Sequence, residues 1–446
     1  MFEIVKVVMA IICAVFVFKT CKNLKNKYLI FVVLALWLRY TLSAFHQITY
    51  DPFIAGFSLN ALGSISVVLL GVLLLPNLTF RLRQYIVFYA FFAIIIISGL
   101  VNSEVKGLIN VLVKWGYFFV LSAAVFLSLR MQPTKVVFKA LLAPFLLPVS
   151  LQVLSILLGE VKATEGDGSA SYIGGYNHEA AFSMIIVGFI LVLGWLERKT
   201  IRFHAPLFFI SVFLLVLVNY RTSMLAVLPV VLIFILTMLS ERFESKYKLP
   251  ILAAAAVPLI AIGLLISSSL AERFSDITLV VTNFSDLIKA PMYYSDADQD
   301  IFSSRMYLWS QYLYAFFNSD WLNQWVGLGP EHWDGLFKHY AHNAYVSYIY
   351  EYGYLGITAF LAINIYLLIS ALKHRSKVLG QKLFFSVLGI MVMSLSTMPL
   401  WNIEGLICYA LIAGAIFAKG HGPHASETPS TLGREVKIPS PPADTI

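Results

Sequence analysis

The chain has 446 residues, of which 59% are hydrophobic and only 13% charged, and it carries a formal net charge of +8. Water-soluble domains carry about a quarter of charged residues, so a soluble globular fold is excluded. The surplus lysines and arginines lie in short connectors at the ends of apolar runs, not on a basic face interleaved with aromatics. That excludes a nucleic-acid surface and assigns the charge to membrane orientation.

Runs of roughly 18 or more apolar residues read as membrane-spanning helices, and here they are continuous rather than alternating, which favours helices over barrel strands. In chain order they fall near 4–18, 28–45, 59–75, 85–100, 108–127, 140–158, 181–196, 206–218, 224–239, 249–266, 353–372 and 383–398, with a shorter one at 405–417. The expected fold is all-α, a polytopic membrane protein of about 12–13 transmembrane helices with one large loop carrying amphipathic helices. The first run, with Glu3, Lys6 and no small-residue cleavage site, is expected to be retained rather than removed as a signal peptide. Cys13, Cys21 and Cys408 are odd in number, far apart and without metal-ligand spacing, which argues against a disulfide framework.

Basic connectors alternate with polar ones. Those at 19–27, 76–84, 130–139, 197–205, 240–248 and 373–382 hold 19 lysines and arginines, against 7 in the longer intervening set. The positive-inside rule places the first set in the cytoplasm and turns the stretch 159–180 and the loop 267–341 outward. Four regions follow: transmembrane helices over 1–266, the outward loop at 267–341, C-terminal helices over 342–418, and a Pro- and Ser-rich tail at 419–446 expected to be disordered in the cytoplasm. The in-span charges are Lys6, Arg39 and Lys114, none with an obvious acidic partner within a span. A transporter, which would use such charges and broken helices at the midplane, is the competing reading.

The outward polar groups that could carry chemistry fall in three places. Arg221, in NYRTSML between two apolar runs, either snorkels to the headgroups or captures an anion, since a planar guanidinium suits phosphate. In FSSRMYLWSQYLYAFF, Met306, Trp309, Leu313 and Phe316 or Phe317 have helical spacing, with Ser303 or Ser304 as candidate N-cap. That predicts an amphipathic helix on the membrane face, with Arg305 at its positive start as a phosphate site or a plain surface arginine. VGLGPEHW follows, its Gly327 and Gly329 marking a turn. Third are His339 and His342, which would share a face if helical. A zinc site would need more ligands, so no metal is expected, and histidine suits general-base work.

His342, Asn343, nine residues, then Gly353 and Gly356 close this stretch, at the exit of the large loop. This His-Asn, nine, Gly-x-x-Gly pattern resembles the O-antigen ligase and polymerase superfamily. The resemblance implies an integral glycosyltransferase of the bacterial inner membrane with its active site facing the periplasm. It would move a glycan from undecaprenyl diphosphate to a lipid A-core or glycan acceptor, with membrane lipid around it and no cofactor. By that similarity Arg221 and Arg305 would grip the diphosphate and His342 would activate the acceptor. Asn343, His339 and His178, the last in YNHE before a span, are candidate substrate-binding residues. Two guanidiniums can stabilise a diphosphate leaving group without a metal, and attack opposite it would invert the anomeric centre.

Overall fold

A computed structural model of the chain describes residues 2–54, 56–163, 170–242, 246–247, 250, 289–295, 304–374 and 376–418. The run expected at 249–266, Pro250 apart, most of the acidic first part of the large loop, Ser303 and the tail after Ala418 lie outside the described residues.

The helices follow the apolar runs. They are α1 (Phe2–Asn23), α2 (Lys27–Ala44), α3 (Leu59–Leu74), α4 (Ile86–Val101), α5 (Val105–Met131), α6 (Leu146–Leu158), α7 (Glu179–Trp195), α8 (His204–Leu217), α9 (Arg221–Arg242), α10 (Arg305–Phe317), α11 (Trp321–Val326), α12 (Ala344–Leu372), α13 (Lys377–Met393) and α14 (Ile403–Phe417). Among the described residues, seven helical stretches are long and apolar enough to cross a membrane, and α3, α7, α8 and α14 are shorter apolar helices. The chain is an all-α polytopic membrane protein. Two minimal antiparallel hairpins, Pro52–Ile54 with Phe57–Ser58 and Lys162–Ala163 with Ala170–Ser171, occupy connectors between helices.

Polar side chains set where helices begin. Asn26 accepts from the amides of Tyr28 and Leu29 at the start of α2, and Ser58 accepts from Ala61 at the start of α3. Every residue of α14 is buried, and it packs along α5, while α9 packs on α13 and α12 on α4. Ile4, Ile11 and Val15 of α1 and Leu69 and Leu73 of α3 remain exposed, as expected of surfaces that face lipid.

The in-span charges are paired, and for Arg39 the partner lies within a helix of the bundle, contrary to the reading that none has an acidic partner within a span. Arg39 Nε donates to Glu404 Oε1 at 2.8 Å, and its other nitrogen donates to Asn60 Oδ1 at 2.6 Å. Ser43 Oγ donates to the same Glu404 oxygen at 2.9 Å, so α2, α3 and α14 are pinned together. Glu404 was overlooked because it lies 365 positions away, on the last helix. Lys114 pairs with Glu331 of the large loop at 2.8 Å, and Lys6 lies 3.4 Å from Glu3 on its own helix.

The Arg39–Glu404 pair yields a stability test. Glu404→Leu leaves a buried guanidinium without its counter-charge and is expected to cost about 3–5 kcal/mol. Arg39→Met with Glu404→Leu removes both charges and should restore most of it. Thermal unfolding in detergent measures this; a single variant as stable as wild type would contradict the pin.

Candidate functional site at the outer helix starts

Four helices begin on one side of the bundle, at the ends opposite the basic connectors. The first turns of α7 and α9 are joined by Ser183 Oγ and Ser223 Oγ at 2.7 Å. Thr222 in α9 hydrogen-bonds Ser396 in the turn after α13. In that same turn the Ser394 carbonyl accepts from the Ala344 amide, the first residue of α12, at 2.8 Å. Trp309 of α10 donates its Nε1 proton to the Ala341 carbonyl at 2.8 Å, next to His342. The starts of α7, α9, α10 and α12 are therefore tied side by side. Each leaves amide protons beyond its own helix ladder, and each is the positive pole of a helix dipole.

Three of these starts are introduced by a non-glycine residue in the left-handed region. Asn219 (φ 58°) precedes Tyr220 and Arg221, Ser304 (φ 62°) precedes Arg305, and His342 (φ 50°) precedes Asn343. Such backbone costs on the order of 1–3 kcal/mol per residue and concentrates at functional sites. The Ser304 side chain makes no cap, so Arg305 enters α10 without the serine cap read from the sequence. Asn343 and His178 do cap. The Asn343 Oδ1 accepts from Tyr345 at 2.9 Å and Val346 at 3.2 Å, and the His178 Nδ1 accepts from Ala180 at 3.1 Å.

The candidate base sits in the field of Arg305. His342 is half-buried, and burial first, then the charges of Arg305, His178 and His339, pushes its imidazole down to about 4. The Arg305 charge also reaches Tyr220, whose hydroxyl is raised chiefly by burial. Arg305 is thus within electrostatic range of both His342 and Tyr220, the residue before Arg221. Arg221 and Arg305 are both half-buried. Neutral imidazole is the form in which a histidine accepts a proton, and at pH 7 this site holds it in that form.

Residues 206–361 match the family model of O-antigen ligase. Over that segment the chain is similar to the O-antigen ligase family, the match spanning residues 206–361 of 446. The comparison with curated proteins gave no match. The matched segment runs from α8 to the first half of α12 and contains Arg221, Arg305, His342, Asn343, Gly353 and Gly356.

The glycines of the ligase motif have a mechanical explanation. Gly353 (φ 65°, ψ −164°) breaks α12 in a conformation open to glycine alone. The break frees the Tyr350 and Glu351 carbonyls, which accept from Leu328 at 2.9 Å and Gly329 at 3.1 Å of the loop. Ser98 donates to the same Glu351 carbonyl at 2.7 Å, and Asn102 holds the Gly327 carbonyl at 2.9 Å. A Cβ on Gly353 would strike the Trp325 carbonyl, and one on Gly327 the backbone of Glu351. The stretch read as a plain turn therefore docks the large loop onto the broken helix.

Two sequence expectations change. Residues 334–343 are not helical, so His339 and His342 share no helix face, and His339 is exposed. The buried face of α10 is Met306, Tyr312 and Phe316, with Leu313 only partly covered, and Tyr312 and Phe316 pack with Ala341 and Tyr350. Sequence reasoning missed Glu331, Tyr340, Glu351 and Trp401. Glu351, an acid inside an apolar helix beside the motif glycines, was the available signal. Among the described residues, no group of three or more His, Cys, Asp or Glu is arranged around a metal position.

Gly353→Ala imposes a left-handed conformation on an L-residue against the Trp325 carbonyl. It is expected to lower the unfolding temperature and to raise protease cutting of the 320–330 segment at unchanged membrane insertion. Wild-type protease resistance would contradict the docking role of the break.

Proposed function

We propose that the chain is an integral membrane glycosyltransferase that moves a glycan from undecaprenyl diphosphate to an acceptor hydroxyl at the periplasmic face of the inner membrane. The most direct acceptor is lipid A-core, as in O-antigen ligation. A polymerase would use the same chemistry on a second lipid-linked repeat unit. The observation that carries the reading is the hydrogen-bonded gathering of the α7, α9, α10 and α12 starts, which puts Arg221, Arg305 and His342 on one surface.

The reaction runs as one displacement. The acceptor oxygen attacks the anomeric carbon as His342 takes its proton. The bond from that carbon to the diphosphate oxygen breaks, and its electron pair leaves on undecaprenyl diphosphate. Arg221 and Arg305, with the amide protons at the α9 and α10 starts, stabilise that charge; removal of one such donor typically costs about 10²–10³ in kcat. Attack from the face opposite the diphosphate inverts the anomeric configuration. No step calls on a metal ion. The Asn343 amide oxygen is spent on the α12 cap, leaving only its amino group for a substrate.

Donor binding also tunes the base. Burial first, and then the charge of Arg305, holds the His342 imidazole down at about 4. A bound diphosphate supplies the opposite charge and raises it, so the base strengthens once the leaving group is in place.

Purified protein with the lipid-linked glycan and lipid A-core in detergent tests the proposal. His342→Ala should abolish transfer while the protein stays folded, and Arg305→Ala should raise the donor KM and lower kcat. Transfer by His342→Ala would remove the base assignment. In the pH profile, kcat/KM should persist as pH falls through 6.5 and fail only near 4, because protonation removes the base. The kcat limb should lie at higher pH, since the donor complex raises the imidazole. Coincident limbs near 6.5 would count against this coupling. A deletion strain separates acceptors: unlinked polymer indicates a ligase, and a single repeat unit on the core a polymerase.

A further inference from the structure

We propose that Tyr340 and Trp401, anchored by the Glu331–Lys114 pair, are positioning residues that hold the His342 imidazole in place for proton abstraction. The inference rests on the reading of His342 as the base, and it concerns residues outside the motif.

His342 lies on a non-helical stretch, so no helix ladder sets its ring. The backbone on its N-terminal side is fixed: Ala341 is fully buried, its carbonyl takes the Trp309 proton, and the His339 carbonyl accepts from Tyr312 at 2.9 Å. What covers the imidazole is the ring of Tyr340, with centroids 3.9 Å apart and planes tilted by 32°. Tyr340 in turn stacks on Trp401, at 5.4 Å and 21°, and Trp333 meets both rings at 6.0 Å.

The far end of this stack is fastened to the bundle. Trp401 Nε1 donates to Glu331 Oε1 at 3.0 Å, and Lys114 Nζ lies 4.4 Å from the Trp401 ring centroid. Lys114 and Asn110, one turn apart on α5, donate to the Glu331 carboxylate at 2.8 Å and at 2.8 and 2.7 Å. The Glu331 amide donates to Glu351 Oε2 at 2.9 Å, and Glu331 itself holds φ 58°. A strained loop acid is thus clamped by α5, α12 and the turn before α14, and it aims an indole at the tyrosine that covers the base. The arginines enter the site from α9 and α10. Loosening the stack should therefore affect proton abstraction and leave donor binding in place; a displacement of about 1 Å can cost about 10²-fold.

The test uses the full chain in detergent, with undecaprenyl-diphosphate-linked repeat unit as donor and lipid A-core as acceptor. Tyr340→Leu should lower kcat by about 10–100-fold with little change in donor KM. Tyr340→Phe keeps the ring and should stay near wild type. Trp401→Leu should follow Tyr340→Leu, and Trp401→Phe, which keeps a ring but loses the Nε1 proton, should fall between. The proposal is overturned by an unchanged kcat in Tyr340→Leu, by Tyr340→Phe being as impaired as Tyr340→Leu, or by a loss that appears in donor KM. A second readout needs no transfer at all. Diethyl pyrocarbonate labelling of His342, followed by mass spectrometry, should accelerate severalfold in Tyr340→Leu and not in Tyr340→Phe. Equal labelling in wild type and Tyr340→Leu overturns the stack. Active His342→Ala overturns the base reading instead, so the two failures are distinguishable.

Discussion

Four helices begin side by side on one surface, and that coincidence governs the rest of the site. Each start presents amide protons that its own ladder cannot satisfy, and each adds the positive end of a dipole. Two are capped by side chains, His178 and Asn343, while α9 and α10 open on arginines. Positive poles gathered in this way repel one another, so the arrangement is at its most stable when an anion lies between them. A diphosphate with a lipid tail is the anion that suits a polar patch at the rim of an apolar bundle.

Holding the starts together requires strain, and the strain is balanced locally. Asn219, Ser304 and His342 take left-handed conformations so that the chain can turn sharply into each helix. Hydrogen bonds through Ser183, Ser223, Thr222, Ser394 and Trp309 hold those turns. The broken α12 follows the same logic. Gly353 releases two carbonyls, and the loop around Gly327 supplies the amides that take them up. The loop is thereby fixed to the bundle, which keeps α10 and its arginine in register with His342.

Much of this was legible in the sequence. Continuous apolar runs announced the helices because a membrane leaves the backbone no other way to satisfy its amides. Arg221, Arg305 and His342 stood out because each is a costly polar group placed at the end of an apolar or amphipathic run. What stayed hidden depended on pairing at long range. Glu404 completes Arg39 from the far end of the chain, and Glu331 completes Lys114 from the loop. Periodicity carries no information about such partners. On α10 periodicity found Met306 and Phe316 but not Tyr312, which tertiary packing with Ala341 and Tyr350 buries in place of Leu313. The His339–His342 spacing misled for a related reason: a three-residue interval means a shared face only where the backbone is helical, and here it is not.

The central claim is that the gathered helix starts form the seat of the donor's diphosphate. A structure of the full chain with undecaprenyl diphosphate bound tests it most directly. Both phosphates should lie within hydrogen-bond reach of Arg221 and Arg305, with the lipid running down the bundle and the His342 imidazole facing the end where the sugar would attach. A diphosphate seated elsewhere, or an imidazole turned away from it, would contradict the claim.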